Sequence, residues 1–329
     1  MNNTAREFIQ AMEDKSIGAG DVSFEEGCRL IRLEGPDIVD LIASANRVRH
    51  QFKGDKINTC AIVNAKSGNC SENCAFCAQS VHFKTGIETY GFMDREAILQ
   101  AAEKAGGDGA EALGIVTAWK GLKEGPSLDE VLDRIRALAE MGTPRADASL
   151  GDIPTIEIAH KLKDAGLQCY NHNLETARSY FPKICTTHTY EDRVRTVRFC
   201  KEVGIQVCCG GIFGMGEIPE QRVELAVALR ELEVDVLPMN FLHPVPGTPL
   251  GHVTPMRPME ILKTIAVYRL MLPHSDIMTA GGRELNLRDL QSWMFMAGAS
   301  HTMLGNYLTT MGRDARSDLQ MIKDLDLTY

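Results

Sequence analysis

The apolar and polar residues of this chain switch repeatedly between two periods. Short runs rich in aliphatic and β-branched residues, read at the two-residue period of a strand, fall at 57–64, 112–118, 145–150, 168–173, 206–214, 234–241, 276–281 and 299–304. Between them lie stretches with the three-to-four-residue spacing of an amphipathic helix, at 94–105, 127–141, 155–165, 190–203, 220–232 and 258–272. Glycine follows several of these, as in Ala165-Gly166 and Val203-Gly204, where a helix stop favours it. Strands that alternate with helices pair in parallel through right-handed crossovers, and eight of them predict an α/β fold, a (β/α)8 barrel of TIM type. An open doubly wound sheet is the rival, but no G-x-G-x-x-G follows the first strand. The N-terminal segment predicts helices packed outside the barrel. The expected division is a helical extension at 1–50, the barrel at 51–312 and a helical tail at 313–329.

Composition adds little until the cysteines are counted. The 329 residues are 44% hydrophobic and 24% charged, as in an ordinary soluble domain. A net charge of −9 argues against a polyanionic partner such as nucleic acid. The first residues carry no apolar core of signal-peptide length, and no run approaches the roughly 18 apolar residues of a membrane span. The expectation is a cytoplasmic protein with neither a nucleic-acid nor a membrane partner. Ten cysteines are many for a reducing compartment, where stable disulfides are rare, so metal or redox chemistry is the better first reading.

Three of those cysteines share one loop directly after the first strand, Cys70-Ser-Glu-Asn-Cys74-Ala-Phe76-Cys77. Loops after barrel strands sit at the catalytic face. Three thiolates this close can bind three irons of a cubane [4Fe–4S] cluster and leave the fourth iron open. S-adenosylmethionine can chelate that iron through its amino and carboxylate groups, and one electron passed to the sulfonium then releases methionine and a 5′-deoxyadenosyl radical. The radical arises at the cluster-bound cofactor, so no side chain is expected to act as an acid, base or nucleophile. Structural zinc is the alternative, but it usually takes four ligands, commonly in C-x2-C pairs, and no second pair lies nearby.

At this point the chain resembles the radical S-adenosylmethionine superfamily and, within it, the biotin synthase family, from about Asn58 to Thr310. The cysteine loop is followed by Lys84-Thr-Gly-Ile-Glu88 and Ala118-Trp119-Lys120. Then come Tyr170-Asn171-His172-Asn173-Leu-Glu175-Thr176, Thr186-Thr-His-Thr-Tyr-Glu-Asp-Arg193 and Cys208-Cys-Gly-Gly-Ile-Phe-Gly214-Met-Gly-Glu217. Asn240, Pro246-Gly-Thr-Pro-Leu250 and Ala280-Gly-Gly-Arg-Glu284 complete the series. The resemblance implies sulfur insertion into dethiobiotin to give biotin, a low-potential electron donor such as flavodoxin or ferredoxin, and a homodimer. It implies cofactor contacts at Phe76, Trp119, Asn173, Glu175, Arg193 and Gly214, and substrate contacts at Asn171, Asn173 and Asn240. Period two puts Asn171 and Asn173 on one strand face, which suits that role, although asparagines at a strand end can also simply form a turn. Arg193 early in a helix has a surface ion pair as its plain alternative. His172 faces the other way and reads as a packed histidine. Gly210, Gly211, Gly214 and Gly216 allow close backbone approach to a ligand, or mark strand-to-loop bends.

The chain also departs from that family. Its better-known members hold a second, [2Fe–2S] cluster on three cysteines and an arginine, and the corresponding positions here are Gly114, Asp147, Cys208 and Met278. Only one thiolate survives, and methionine cannot replace an arginine's contacts. Strand alternation nevertheless turns Cys60, Cys169 and Cys208 inward, where bulky branched residues are usual. The expectation is a relocated auxiliary cluster on these three, with four irons favoured over two. Cys209 faces a helix, Cys28 and Cys200 lie in helices, and Cys185 stays unassigned. The alternatives are a biotin-synthase-like radical enzyme with a single cluster and no sulfur insertion, or an iron–sulfur electron carrier. A carrier would have no use for three asparagines around a cavity.

Overall fold

The protein is seen here in a computed structural model that describes residues 3–18 and 20–329. Its strands are β1 (Asn58–Lys66), β2 (Ala112–Thr117), β3 (Arg145–Ser149), β4 (Cys169–Asn171), β5 (Gln206–Cys208), β6 (Gly211–Phe213), β7 (Val236–Phe241), β8 (Asp276–Thr279) and β9 (His301–Met303). All pair in parallel, β9 closes onto β1, and β5 and β6 both pair with β7, so they are two halves of one stave in an eight-stave barrel. The period-two runs thus correspond to the eight staves. The break in the fifth falls at Gly210, where a Cβ would lie 2.0 Å from the carbonyl oxygen of Pro238 in β7. Only a glycine lets the two backbones come that close.

Helices α1 (Asn3–Ile17), α2 (Phe24–Ile31) and α3 (Asp37–Lys53) precede the barrel. Its crossovers carry α4 (Arg95–Gly107), α5 (Pro126–Met141), α6 (Ile156–Asp164), α7 (Tyr190–Glu202), α8 (Pro219–Glu231) and α9 (Pro258–Met271). Between β8 and β9 lie the short helices α10 (Arg283–Leu287) and α11 (Trp293–Met296), joined through a 3-10 turn at Arg288–Leu290, and α12 (Ala315–Lys323) follows β9. Helix α9 is buried on every side from Ile261 to Met271, because α3 covers the face that solvent would otherwise take. Among the described residues, no helix is long and apolar enough to cross a membrane.

Alternation along the strands separates two apolar regions. Residues such as Leu113, Ile115, Val207 and Leu237 face the helices. Cys60, Ala112, Cys169, Cys208, Val236, Met278, Ala280 and Met303 fill the barrel instead. Following the paired residues around the barrel puts Cys60, Asp147, Cys208 and Met278, one from each alternate stave, in a common layer. Contacts agree with that register: the Sγ of Cys60 lies 3.4 Å from the Sδ of Met278.

The segment after β9 is tied down by an ion pair. Arg283 of α10 and Asp318 of α12 are both fully buried and donate and accept across a direct contact. Arg283 also reaches the Tyr307 hydroxyl at 3.2 Å and the Met303 carbonyl at 3.4 Å. Removing one partner of such a pair strands the other charge away from water. Asp318→Ala is expected to destabilise the fold by about 3–5 kcal/mol in urea unfolding. A loss below about 1 kcal/mol would show that water reaches Arg283.

Candidate active site

The carboxyl ends of the staves open into a cavity of about 400 Å³. Its rim carries the three-cysteine loop. That loop is held by the backbone: Cys70 N donates to Gln79 O at 3.0 Å, Val81 N to Cys70 O at 2.8 Å, and Cys77 N to Cys74 O at 2.9 Å. Two other segments brace it, since Ala75 N donates to Ile184 O and Leu250 N to Ala75 O. Gly247, at φ +93°, lies so close to Lys84 that a Cβ would sit 2.1 Å from its carbonyl oxygen. The 84–88 and 246–250 motifs are therefore two sides of one contact beneath the loop.

Cys70, Cys74, Cys77, Phe76, Trp119, Asn171, Asn173, Glu175, Arg193 and Asn240 all line this one cavity. Arg193 is no surface residue. It is buried, donates to the Asn173 carbonyl at 2.8 Å and to His188 Nε2 at 3.0 Å, and lies 3.3 Å from Glu175. Glu175 sits at φ +70°, a conformation a non-glycine residue holds only when its surroundings impose it. Burial pushes its carboxyl up, against the pull of Arg193, and its Oε2 is buried without a partner. An unpaired buried acceptor beside the cysteine loop suits a cofactor hydroxyl. Asn173 Oδ1 accepts from Gly210 N at 3.1 Å, and its side chain also faces the Glu175 carboxylate. Asn171 donates Nδ2 to Cys208 Sγ at 3.2 Å and keeps its oxygen. Asn240 accepts from Gly281 N at 3.0 Å and donates toward Gly211 O at 3.3 Å.

Gly214 stands apart from this group. It does not line the cavity; its φ of +89° and the Met256 side chain, 2.7 Å from a would-be Cβ, account for the glycine. Its N–H and that of Met215 donate to the Glu217 carboxylate, both at 2.8 Å, so this turn is organised from within. His172 is buried, 3.3 Å from Asp152.

At the cavity floor lie Cys60, Cys169 and Cys208. The neighbouring Cys208 thiol and burial push the Cys169 thiol well up, and burial does the same to Cys60. Asp147 takes a bidentate grip from Arg145, 2.8 Å at each oxygen, and Arg145 reaches on to Gln206 at 3.3 Å. Gly114 and Met278 complete the wall. Three soft thiols gathered in one interior layer, with only Val236 and Ile62 as branched neighbours among the described residues there, fit an iron–sulfur group.

Sequence reasoning missed a third set. Glu72 accepts from His188 Nδ1 at 2.6 Å, and Cys185 Sγ lies 3.3 Å from that nitrogen and 3.8 Å from Cys74 Sγ. The contact between the two thiols pushes Cys74 up and Cys185 down. The one signal was the Thr186-Thr-His-Thr segment, whose histidine had no role. Above the cavity, Tyr307 to Thr310 form the remaining wall, pinned by Asn64 Nδ2 to Leu308 O at 3.0 Å.

Comparison with known proteins follows the same lines. Residues 66–229 match the model of the radical SAM superfamily, and residues 238–328 match that of the biotin and thiamin synthesis associated domain. The biotin synthase of Geobacter sulfurreducens is 51% identical over 98% of this chain and 97% of its own length. That of Geotalea daltonii is 48% identical over 97% of each. Among solved structures, a methylornithine synthase has a TM-score of 0.83 at 19% identity, covering 96% of both chains. An [FeFe]-hydrogenase maturase from Carboxydothermus hydrogenoformans has a TM-score of 0.79 at 16% identity, over 99% of this chain and 80% of its own. Likeness at such identity speaks for the fold alone.

Two buried histidines in and beside the site give a pH dependence. Burial pushes both His172 and His301 down to about 4, and the latter has no partner on either ring nitrogen. The unfolded chain binds these protons near pH 6.5 and the folded one only near 4, so stability falls as pH drops through that window. Each histidine contributes about 3 kcal/mol to the loss. His301→Leu should make the urea midpoint less sensitive to pH between 6.5 and 4.5; an unchanged slope would mean that His301 is protonated in the fold.

Proposed function

Because the chain belongs to the biotin synthase family of radical S-adenosylmethionine enzymes, we propose that its cavity turns dethiobiotin into biotin with sulfur from a second cluster on Cys60, Cys169 and Cys208. One observation carries this reading: two thiol triplets face the same cavity, one at its rim and one on its floor. When bound, a [4Fe–4S] cluster with S-adenosylmethionine on its open iron supplies the hydrogen-abstracting 5′-deoxyadenosyl radical, and the floor cluster supplies sulfur. The residues do the rest. Cys70, Cys74 and Cys77 hold the first group through a loop that is already shaped by its backbone. Arg193 and Glu175 form a pair whose free carboxylate oxygen suits a ribose hydroxyl, with Phe76 and Trp119 as flanking aromatic walls.

The side-chain amides of Asn171, Asn173 and Asn240 carry both donors and acceptors, as a ureido ring requires. Buried between rim and floor, that ring would lie between radical source and sulfur source. Asp147, locked by Arg145, and Met278 occupy places that the resemblance gives to a cysteine and an arginine. The thiols of Cys169 and Cys60 come instead from staves neighbouring β3 and β2. Four irons suit this floor better than two, since three cysteines leave one iron open to carry a transferable sulfide. A flavodoxin or ferredoxin as electron donor, a homodimer and a cytoplasmic setting complete the proposal.

The direct test is anaerobic incubation with dethiobiotin, S-adenosylmethionine and a reductant, with product analysis beside iron and sulfide counts. Biotin with about eight irons per chain supports the reading; about four, with 5′-deoxyadenosine but no biotin, favours a single-cluster enzyme. Cys60→Ala, Cys169→Ala and Cys208→Ala are each expected to keep 5′-deoxyadenosine formation while losing biotin and part of the bound iron. Cys209→Ala, in the outer wall, serves as the control. Parent-level biotin and full iron in all three floor variants would rule the relocated cluster out. For the substrate amides, Asn173→Ala and Asn240→Ala should each weaken dethiobiotin binding by about 1–3 kcal/mol by titration calorimetry, and unchanged affinity in both would remove them from the site.

A further inference from the structure

Of the buried thiols that neither cluster uses, Cys185 is the one in contact with a rim cysteine. It lies on the loop before α7, and its Sγ is 3.8 Å from Cys74 Sγ, 3.5 Å from Asn73 Oδ1, 3.6 Å from Thr187 Oγ1 and 3.3 Å from His188 Nδ1. The destination of its proton follows from these neighbours. His188 Nε2 faces Arg193 Nε at 3.0 Å; an arginine can only donate, so that nitrogen accepts and Nδ1 carries the ring proton. Nδ1 therefore donates, to Glu72 at 2.6 Å, and cannot take a proton from Cys185, while Nε2, 3.7 Å from the Cys185 thiol, has its single lone pair taken by Arg193. Asn73 Oδ1 already accepts from Thr186 N at 3.0 Å and from Thr187 Oγ1 at 3.2 Å. The Thr187 hydroxyl in turn accepts from Asn73 N at 3.1 Å.

The remaining acceptor is Cys74. Once iron has taken the place of its proton, Cys74 presents a sulfur with negative charge and no hydrogen, a stronger acceptor than a hydroxyl or amide oxygen already in use. The contact then needs a proton from the other side, and only Cys185 has one.

We propose that Cys185 is a positioning residue that donates an S–H hydrogen bond to the cluster-bound sulfur of Cys74 and so raises the reduction potential of the radical-generating cluster. A donor at a ligating sulfur draws electron density from the irons and stabilises the reduced, more negative cluster. The surrounding net explains how a weak donor is kept in one orientation. Glu72, His188 and Arg193 hold one side of the thiol, and Asn73 with Thr186 and Thr187 holds the other. The inference rests on the three-cysteine cluster alone and is independent of the one on the floor.

The test is a redox titration of the reconstituted enzyme followed by electron paramagnetic resonance, using the signal that S-adenosylmethionine perturbs, since that marks the cluster on Cys70, Cys74 and Cys77, to which the cofactor binds. Cys185→Ala should lower its midpoint potential, and Cys185→Ser, which keeps a hydroxyl donor, should fall between Ala and the parent. A midpoint in Cys185→Ala equal to or above the parent's would overturn the proposal. The parent enzyme gives a second reading that does not depend on any variant loading its cluster. Electron–nuclear double resonance of the reduced cluster should show an exchangeable proton coupling that vanishes in D2O, and the proposal fails if the parent shows none. Where Cys185→Ala does load, survival of every exchangeable coupling assigns the proton to a backbone amide and also overturns it.

Discussion

A closed barrel of eight parallel staves has space for only four side chains in each interior layer, one from every second stave. In this chain the layer at mid-depth is Cys60, Asp147, Cys208 and Met278, with Cys169 just beneath. Everything about the site follows from how little volume these residues take. Ala112, Gly114 and Ala280 stand where branched aliphatic residues normally fill a barrel, so the space beneath the rim stays open. The fold then depends on the outer wall for its apolar packing, where helices rich in leucine and isoleucine meet the outward faces of the staves.

The same narrowness would let the proposed floor ligands change strand without changing place. Asp147 and Cys169 are direct partners across β3 and β4, and Gly114 is the partner of Ile62, two residues from Cys60 on β1. In so tight a ring, inward positions on adjacent staves point at nearly one centre. A thiol lost from one stave and gained on its neighbour remains within reach of the same group. Arg145, close by on β3, neutralises the carboxylate that stands where the family resemblance expects a thiolate.

Much of this was legible in the amino-acid order because two periods carry it. The eight staves and six long crossover helices show cleanly, and period two alone turned Cys60, Cys169 and Cys208 inward and Cys209 outward. What escaped has physical reasons. The split of the fifth stave depends on a collision at Gly210 with a residue 28 positions away. Helix α9 loses its polar face to α3, a tertiary event that local pattern cannot announce. The link from Glu72 to His188 joins residues 116 positions apart on two loops, where no period exists. Cys185 was unreadable for the same cause. Gly214 looked like a ligand contact by its motif, whereas its turn is explained by Glu217 and Met256.

The amino-terminal end of the barrel is braced by the Arg145–Asp147 pair and Gln206, and the cavity that reaches the floor carries the cysteine loop at its rim. On the proposed reading that rim gives the cavity an order of traffic. An inorganic group placed on the floor by way of the rim would enter before a nucleotide-sized molecule sits across the mouth. A sulfur atom given up from the floor would leave by the same doorway, inside the product. Resupply would then be a matter of timing, confined to the interval when the mouth stands empty.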